Sequence, residues 1–544
     1  MASRFHAARV AWSKASRPTT AIALFLLEVT LVLALHGGLR HELLAITVLS
    51  PARYRAPSLL TGVLAKTDLM FPLLLGALAC LVFRRRLAWR ALDPSNATRW
   101  LVTGTALVLA VTAATLHYNA WWGQTWAFDR LLLVLMAAGV ALHPGFVGPF
   151  VALLLVHFGQ LAGPLPDADW HWPDKRLPVD FLILFVAFLV TRLMTRAELR
   201  VLLTATLILV GGAYSHAAIS KLAIGPHPWT WPLQNSTSNI LVSAYVAGGW
   251  LRPLGDQRVL ALAGFLGRLD PVSGVLTVLI ELGGLLILAS TRLTRFLLAA
   301  WIALHISILL TTGIFFWKWI LFDLGCLFWL HRLARTIDSR AVLASTFART
   351  TAIFGVLAML VTPRLYRNVE FAWFDSRLAA WFELTGVGAS GRTYRIDPRF
   401  FAPFDTSIHQ SRFFYLRDTP TLVGTYGVTF SYATFSTLER ASAAEVPGIE
   451  ARLGKRARDP KVVDAWTRFV ERWFQTSAAR GARNVVPRWL SPPFHFQRFA
   501  APDTYEGQEP VQELRVEYLE VFHEAERLVP LRREPVMTID LRPR

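Results

Sequence analysis

Tyr214-Ser215-His216-Ala217-Ala218-Ile219-Ser220-Lys221-Leu222 closes an apolar run that begins near Val201. The run reads as a helix of leucine, valine and isoleucine. It passes Gly211-Gly212 and then meets a tyrosine, a histidine and a lysine. A lysine at bilayer depth costs roughly 2.5–3.5 kcal/mol on insertion scales. A helix that served only as an anchor would have no use for it. Tyr214, Ala217, Ala218 and Lys221 follow at helical spacings and share one face. The two alanines keep that face thin, so another helix or a ligand can approach closely. Two readings stay open. Lys221 marks the helix end and snorkels to the interface, or it is a functional amine in a pocket open to the outer side.

The chain around this stretch is apolar. Of 544 residues 54% are hydrophobic and 17% charged, against about 25% charged in ordinary globular domains. The deficit lies before residue 365, which predicts an all-α polytopic membrane bundle with a soluble tail. The net charge of +19 sits mostly in short loops between apolar runs. Topology therefore explains it better than a nucleic-acid partner. Cys80 and Cys326 both fall inside apolar runs, as inert packing residues do. No disulfide framework or metal-ligand spacing occurs.

Residues 1–18 form a basic segment ahead of an uncleaved first span. Spans are expected near 20–37, 69–83, 100–116, 128–143, 145–163, 179–195, 199–221, 272–290, 296–314, 316–331 and 350–364, about eleven helices at the roughly 20 residues a bilayer requires. With residue 1 in the cytoplasm, Arg84-Arg85-Arg86, Arg192, Arg196, Arg292, Arg295, Arg332, Arg335 and Arg349 all fall inside. This satisfies the positive-inside rule and places the tail outside the cytoplasm of a bacterial cell membrane. Residues 223–271 form a long outer loop whose pieces near 240–250 and 258–267 are too short to span. They suit helices lying at the interface or re-entrant over a pocket. Trp229 in this loop is a candidate binding residue or part of an aromatic belt.

The domains are therefore 1–18, a transmembrane domain over 19–365, and an extracytoplasmic α+β domain over 366–544. In the tail, Leu378–Leu384 reads as a short amphipathic helix. Arg412–Leu416, Val423–Phe430, Leu514–Phe522 and Pro535–Leu541 read as strands. Asp459–Ala478 reads as a helix with Val463, Trp466, Phe469, Val470 and Trp473 on one face.

Three further polar groups lie within apolar spans: Glu281, His305 and Asp323. Ionisable groups there face the protein interior or a water-filled cavity and find partners. With Lys221 they suffice for a proton-handling or anion site, or they glue helices together. If Lys221 stands apart, desolvation frees its amine to act as a base. If it pairs with Glu281, it is a charge clamp. His117-Tyr118-Asn119-Ala120-Trp121-Trp122 ends an earlier span on the same side and could line the same pocket.

The stretch Tyr214…Ala217-Ala218-Ile219-Ser220-Lys221-Leu222 resembles the signature of the HTTM membrane family, which includes the vitamin K-dependent gamma-carboxylases. Glu281, Gly283 and Gly284 in one later span, then His305, Gly313, Phe315 and Phe316, continue the resemblance. It implies a membrane enzyme in which Lys221 deprotonates a reduced, vitamin K-like naphthoquinone. Oxygen then turns the quinol into a strong base that removes a γ-proton from a peptide glutamate, and carbon dioxide adds. His305 and Glu281 would be the further catalytic residues. Tyr214, His216, Asn119, Trp229 and Asp323 would bind substrate. The family's glycine is Ala218 here, and its Asn-His pair has Asn119 with no matching histidine. A different activity on the same scaffold is thus one expectation, and a non-catalytic transporter or accessory membrane protein with a buried polar cluster is the other.

Overall fold

The computed structural model of the protein describes residues 18–48, 78, 82–115, 127–159, 165, 173–361, 371–402, 404–410, 413–480, 491–524 and 526–542. The helices of the bundle are α1 (Pro18–Val48), α2 (Ala97–Thr115), α3 (Ala127–Leu142), α4 (Val147–Gly159), α5 (Pro173–Thr195), α6 (Leu199–Ala223), α7 (Thr237–Val246), α8 (Asp256–Gly267), α9 (Asp270–Leu282), α10 (Thr291–Thr312), α11 (Trp317–Leu333), α12 (Ile337–Thr346) and α13 (Arg349–Val361). Among the described residues five helices are long and apolar enough to cross a membrane: those over Thr20–Glu42, Ala97–Thr115, Lys175–Thr195, Leu199–Ala223 and Thr291–Thr312. The pairs α8–α9 and α12–α13, bent by 64° and 55°, raise the number to seven if each is one broken span. The expected span at 69–83 lies outside the described residues except for 78, 82 and 83. The expected spans at 128–143, 145–163 and 316–331 are helices of 16, 13 and 17 residues.

Helix α6 is the centre of the bundle. Its apolar window is 89% buried, against 28% for α10, so α6 is enclosed by protein while α10 shows most of its surface outward. That explains their sequences: α6 is apolar all round, whereas the buried residues of α10 (Thr294, Leu297, Leu298, Trp301, His305) follow helical spacing on one stripe. Where α6 crosses the 3-10 turn Gly283–Leu286, the two backbones touch. A Cβ on Gly284 would stand 2.4 Å from the Gly211 carbonyl oxygen, and one on Gly211 would stand 2.5 Å from that of Gly284. Only glycine fits at either position.

The tail carries a four-stranded antiparallel sheet in the order β3-β2-β5-β6, from β2 (Leu378–Gly388), β3 (Thr393–Arg395), β5 (Val511–Glu524) and β6 (Arg527–Asp540). Short β1 (Phe374–Asp375) pairs with β4 (Val428–Thr429). The helix over Pro460–Arg480 buries Trp466, Phe469, Val470 and Trp473, on the face that the sequence predicts. Three expectations are corrected. Leu378–Leu384 is a strand, not a helix. It pairs with β5 and is buried on both faces, so it lacks the alternation that identifies a half-exposed strand. Of Val423–Phe430 only Val428–Thr429 is strand, and Phe414–Leu416 is a 3-10 turn.

The tail docks on one end of the bundle. Phe315 donates its amide to the His495 carbonyl, Gln497 donates to the Gly313 carbonyl, and Phe499 donates to the Gly249 carbonyl. The Trp231 indole donates to the Trp373 carbonyl at 2.6 Å. Since α6 and α10 both run toward these contacts and α11 runs away from them, the turns holding Arg196, Arg292 and Arg332 lie at the opposite end of the bundle.

Candidate functional site

Two polar clusters sit on the face of α6 that the sequence singles out. The first is an ion pair. Lys221 Nζ is 2.7 Å from both Oε1 and Oε2 of Glu281 on α9, and the two side chains are 10% and 8% exposed. The Trp231 ring covers the ammonium, with its centroid 5.3 Å from Nζ. Ala218 is fully buried with Trp231 and Val278. The small side chain at 218 thus lets α9 and the Thr230–Gln234 turn close over the lysine. Of the two arrangements open from sequence, paired or apart, the structure has the paired one. Both oxygens of the carboxylate grip the amine, which is the charge-clamp arrangement.

The second cluster lies two turns earlier on α6. The Tyr214 hydroxyl is 2.6 Å from Asp323 Oδ2 on α11 and 2.9 Å from His305 Nε2 on α10. Trp301 stacks on the Tyr214 ring at 3.9 Å, and Trp319 meets it edge-on at 5.6 Å. The Tyr214 hydroxyl donates to Asp323 Oδ2. The hydroxyl can then only accept from Nε2–H of His305, which leaves Nδ1 as a bare lone pair. His305 Nδ1 and Asp323 Oδ1 have no hydrogen-bond partner among the described residues. The first cluster is saturated, and the second has capacity to spare. Among the described residues no three His, Cys, Asp or Glu come together as a metal would require.

No family model, no curated protein and no solved structure matches this chain. Its chemistry is therefore argued from its own residues.

Of the residues named from sequence, the structure brings Lys221 to Glu281, and Tyr214 to His305 and Asp323. His216 is half-buried on α6. Asn119 lies outside the described residues. Trp229 is 54% exposed and Trp231 only 9%. Two positions apart on a helical turn, they point to different sides, and Trp231 is the one that meets the lysine. Trp301 and Trp319 were legible but not singled out. Each stands four residues before a buried polar group, His305 and Asp323, the spacing that stacks side chains on one helix face.

The seam between bundle and tail holds a further polar group. Asn235 Nδ2 donates to Asp375 Oδ2 at 2.8 Å, its Oδ1 accepts from the Asp375 amide, and the Trp373 indole donates to Asp375 Oδ1 at 3.0 Å. Burial pushes the Asp375 carboxyl up to about 7 against the pull of these bonds. Glu439, bonded to Asn239, is also raised to about 7 by burial.

Proposed function

We propose that this chain is a polytopic membrane enzyme of the HTTM type that acts on a lipid-soluble molecule, such as a reduced quinone, with His305 as the proton acceptor. The resemblance implies the base at Lys221. The bidentate bridge to Glu281 supports a different division of labour, in which Lys221 and Glu281 fix the crossing of α6 and α9 while Tyr214, Asp323 and His305 handle the proton. The observation that carries this reading is His305 Nδ1, without a hydrogen-bond partner among the described residues, on a ring held in register by Tyr214 and flanked by Trp319 and Phe316. A buried, oriented imidazole with one free nitrogen is the usual equipment of a general base.

The proposed topology has the amino terminus in the cytoplasm of a bacterial cell and about eleven spans. It is supported by the arginine-bearing turns, which lie at the end of the bundle away from the tail. That end would be cytoplasmic and the tail extracytoplasmic, whatever the number of spans. A peptide remains a candidate second substrate on the tail side.

Mass spectrometry of lipids and quinones extracted with the detergent-purified protein tests this reading. A quinone or related lipid at near-stoichiometric amount, converted by the parent chain and not by His305→Gln, is the expected result. Retention of the compound with no turnover in either protein favours the second reading, an accessory membrane protein. The saturated Lys221–Glu281 bridge gives that reading its own support, because a closed ion pair stabilises a bundle without reacting.

A further inference from the structure

A cavity of about 570 Å³ lies where the tail meets the bundle, within the roughly 300–1,000 Å³ typical of small-molecule sites. Both parts of the chain wall it. Ile314 and Phe316 come from the link between α10 and α11, and Phe414, Val428 and Phe430 come from the tail. Phe316 is shared between the two sites. Its ring lies 5.1 Å from that of His305 and 4.9 Å from that of His495, which also lines the cavity. Phe430 is 53% exposed, so the cavity reaches the surface of the protein there.

The lining is mostly apolar and its charge is one-sided. Lys455 is the single Lys, Arg, Asp or Glu among the lining residues. Its backbone is fixed by reciprocal bonds to Thr421 at 2.9 and 3.0 Å, and the residue is exposed. An aromatic and aliphatic wall favours hydrocarbon. A single cation with no acid among the lining residues favours an anion and penalises a cation. One polar acceptor, Gln410 Oε1, is buried on the wall without a partner among the described residues, which suits the protonated or hydroxyl end of a ligand.

We infer that this cavity binds one anionic amphiphile, with its hydrocarbon among Phe316, Phe414 and Phe430 and its carboxylate or phosphate head at Lys455. The head can belong to a free fatty acid or to an anionic phospholipid with one chain inserted. The site stands independently of the chemistry proposed at His305.

The test uses the full-length protein in phosphatidylcholine nanodiscs, labelled with a photoreactive diazirine fatty acid. Oleate, oleyl alcohol and dioleoyl phosphatidylglycerol serve as competitors. Oleate should compete at least tenfold better than oleyl alcohol, which has the same chain and no charge. Lys455→Met should erase that difference. Ala457→Trp, which narrows the cavity beside Lys455, should cut labelling several-fold. Competition by phosphatidylglycerol equal to that by oleate supports the site with a phospholipid as its source, and competition by oleate alone supports it with a free acid. Equal potency of oleate and oleyl alcohol on the parent chain overturns the inference, as does a Lys455→Met variant that still prefers oleate tenfold. His305→Gln should leave the oleate preference intact, so lost turnover in that variant bears on the proposed reaction and not on this site.

Discussion

The two polar clusters on α6 stand seven residues apart and have opposite characters. Lys221 and Glu281 exhaust each other: one ammonium, one carboxylate, both oxygens engaged, a tryptophan across the top. Tyr214, Asp323 and His305 form an open chain with one nitrogen and one oxygen unpartnered among the described residues. A buried charge is tolerated only when it is paired, so the first cluster is read as architecture. A buried network with unsatisfied members is costly, so the second is read as a site kept for use. The difference shows that a lone lysine in an apolar run identifies a special place in a membrane helix without identifying the reacting group.

The largest effect that can break this contrast is on stability. Lys221→Met leaves Glu281 buried without its partner and should cost about 3–5 kcal/mol, read as a lowered thermal midpoint in detergent. Adding Glu281→Met should recover most of the loss. A lysine that served as the base would instead spare folding and abolish activity when removed, so the two readings predict different outcomes. A Lys221→Met protein as stable as its parent would falsify the clamp. Next comes Gly284→Ala, whose Cβ would press on the Gly211 carbonyl oxygen at 2.4 Å. Backbone cannot yield as a side chain does, so a loss of about 1–3 kcal/mol is expected, again by thermal melting. Unchanged melting would mean that the crossing is looser than described.

Tyr214→Phe sharpens the contrast from the other side. It strands His305 Nε2 and Asp323 Oδ2 at a cost of about 1–3 kcal/mol, and turnover of any co-purified substrate should fall at least as far as in His305→Gln. Full turnover in the phenylalanine variant removes Tyr214 from the site. The smallest effect is a pH dependence at the seam. The docked Asp375 carboxyl titrates near 7, above the usual carboxylate range of about 4. Docking therefore favours its protonated form. That contribution is complete below about pH 4 and is lost as pH rises to about 7. Protease susceptibility of the tail should rise across this window and level off above it, and Asp375→Asn should flatten the slope. A slope unchanged in the variant assigns it to another group, with Glu439 first in line.

Much of this was legible in the sequence because membrane helices advertise themselves. Ionisable residues in apolar runs are rare, and Lys221, Glu281, His305 and Asp323 all became buried partners. Which one pairs with which was not legible. Tyr214 and Lys221 share a face, but their partners come from three different helices, and a helical spacing says nothing about what lies opposite. The tail was harder. The first seven residues of β2 are covered on both faces and show no alternation, so they pass for a helix. Trp231 rather than Trp229 covers the lysine because a five-residue turn follows Trp229, and a turn that short leaves no periodicity to read.

Helix α9 joins the seam to the ion pair. Its first residue, Asp270, accepts hydrogen bonds from Ser236 and Ser238 beside the docked tail. Glu281, eleven positions later, lies about 16 Å along the same rigid rod. A rod pinned at both ends transmits a push. A shift of the tail at this seam would therefore reach the carboxylate that grips the central helix.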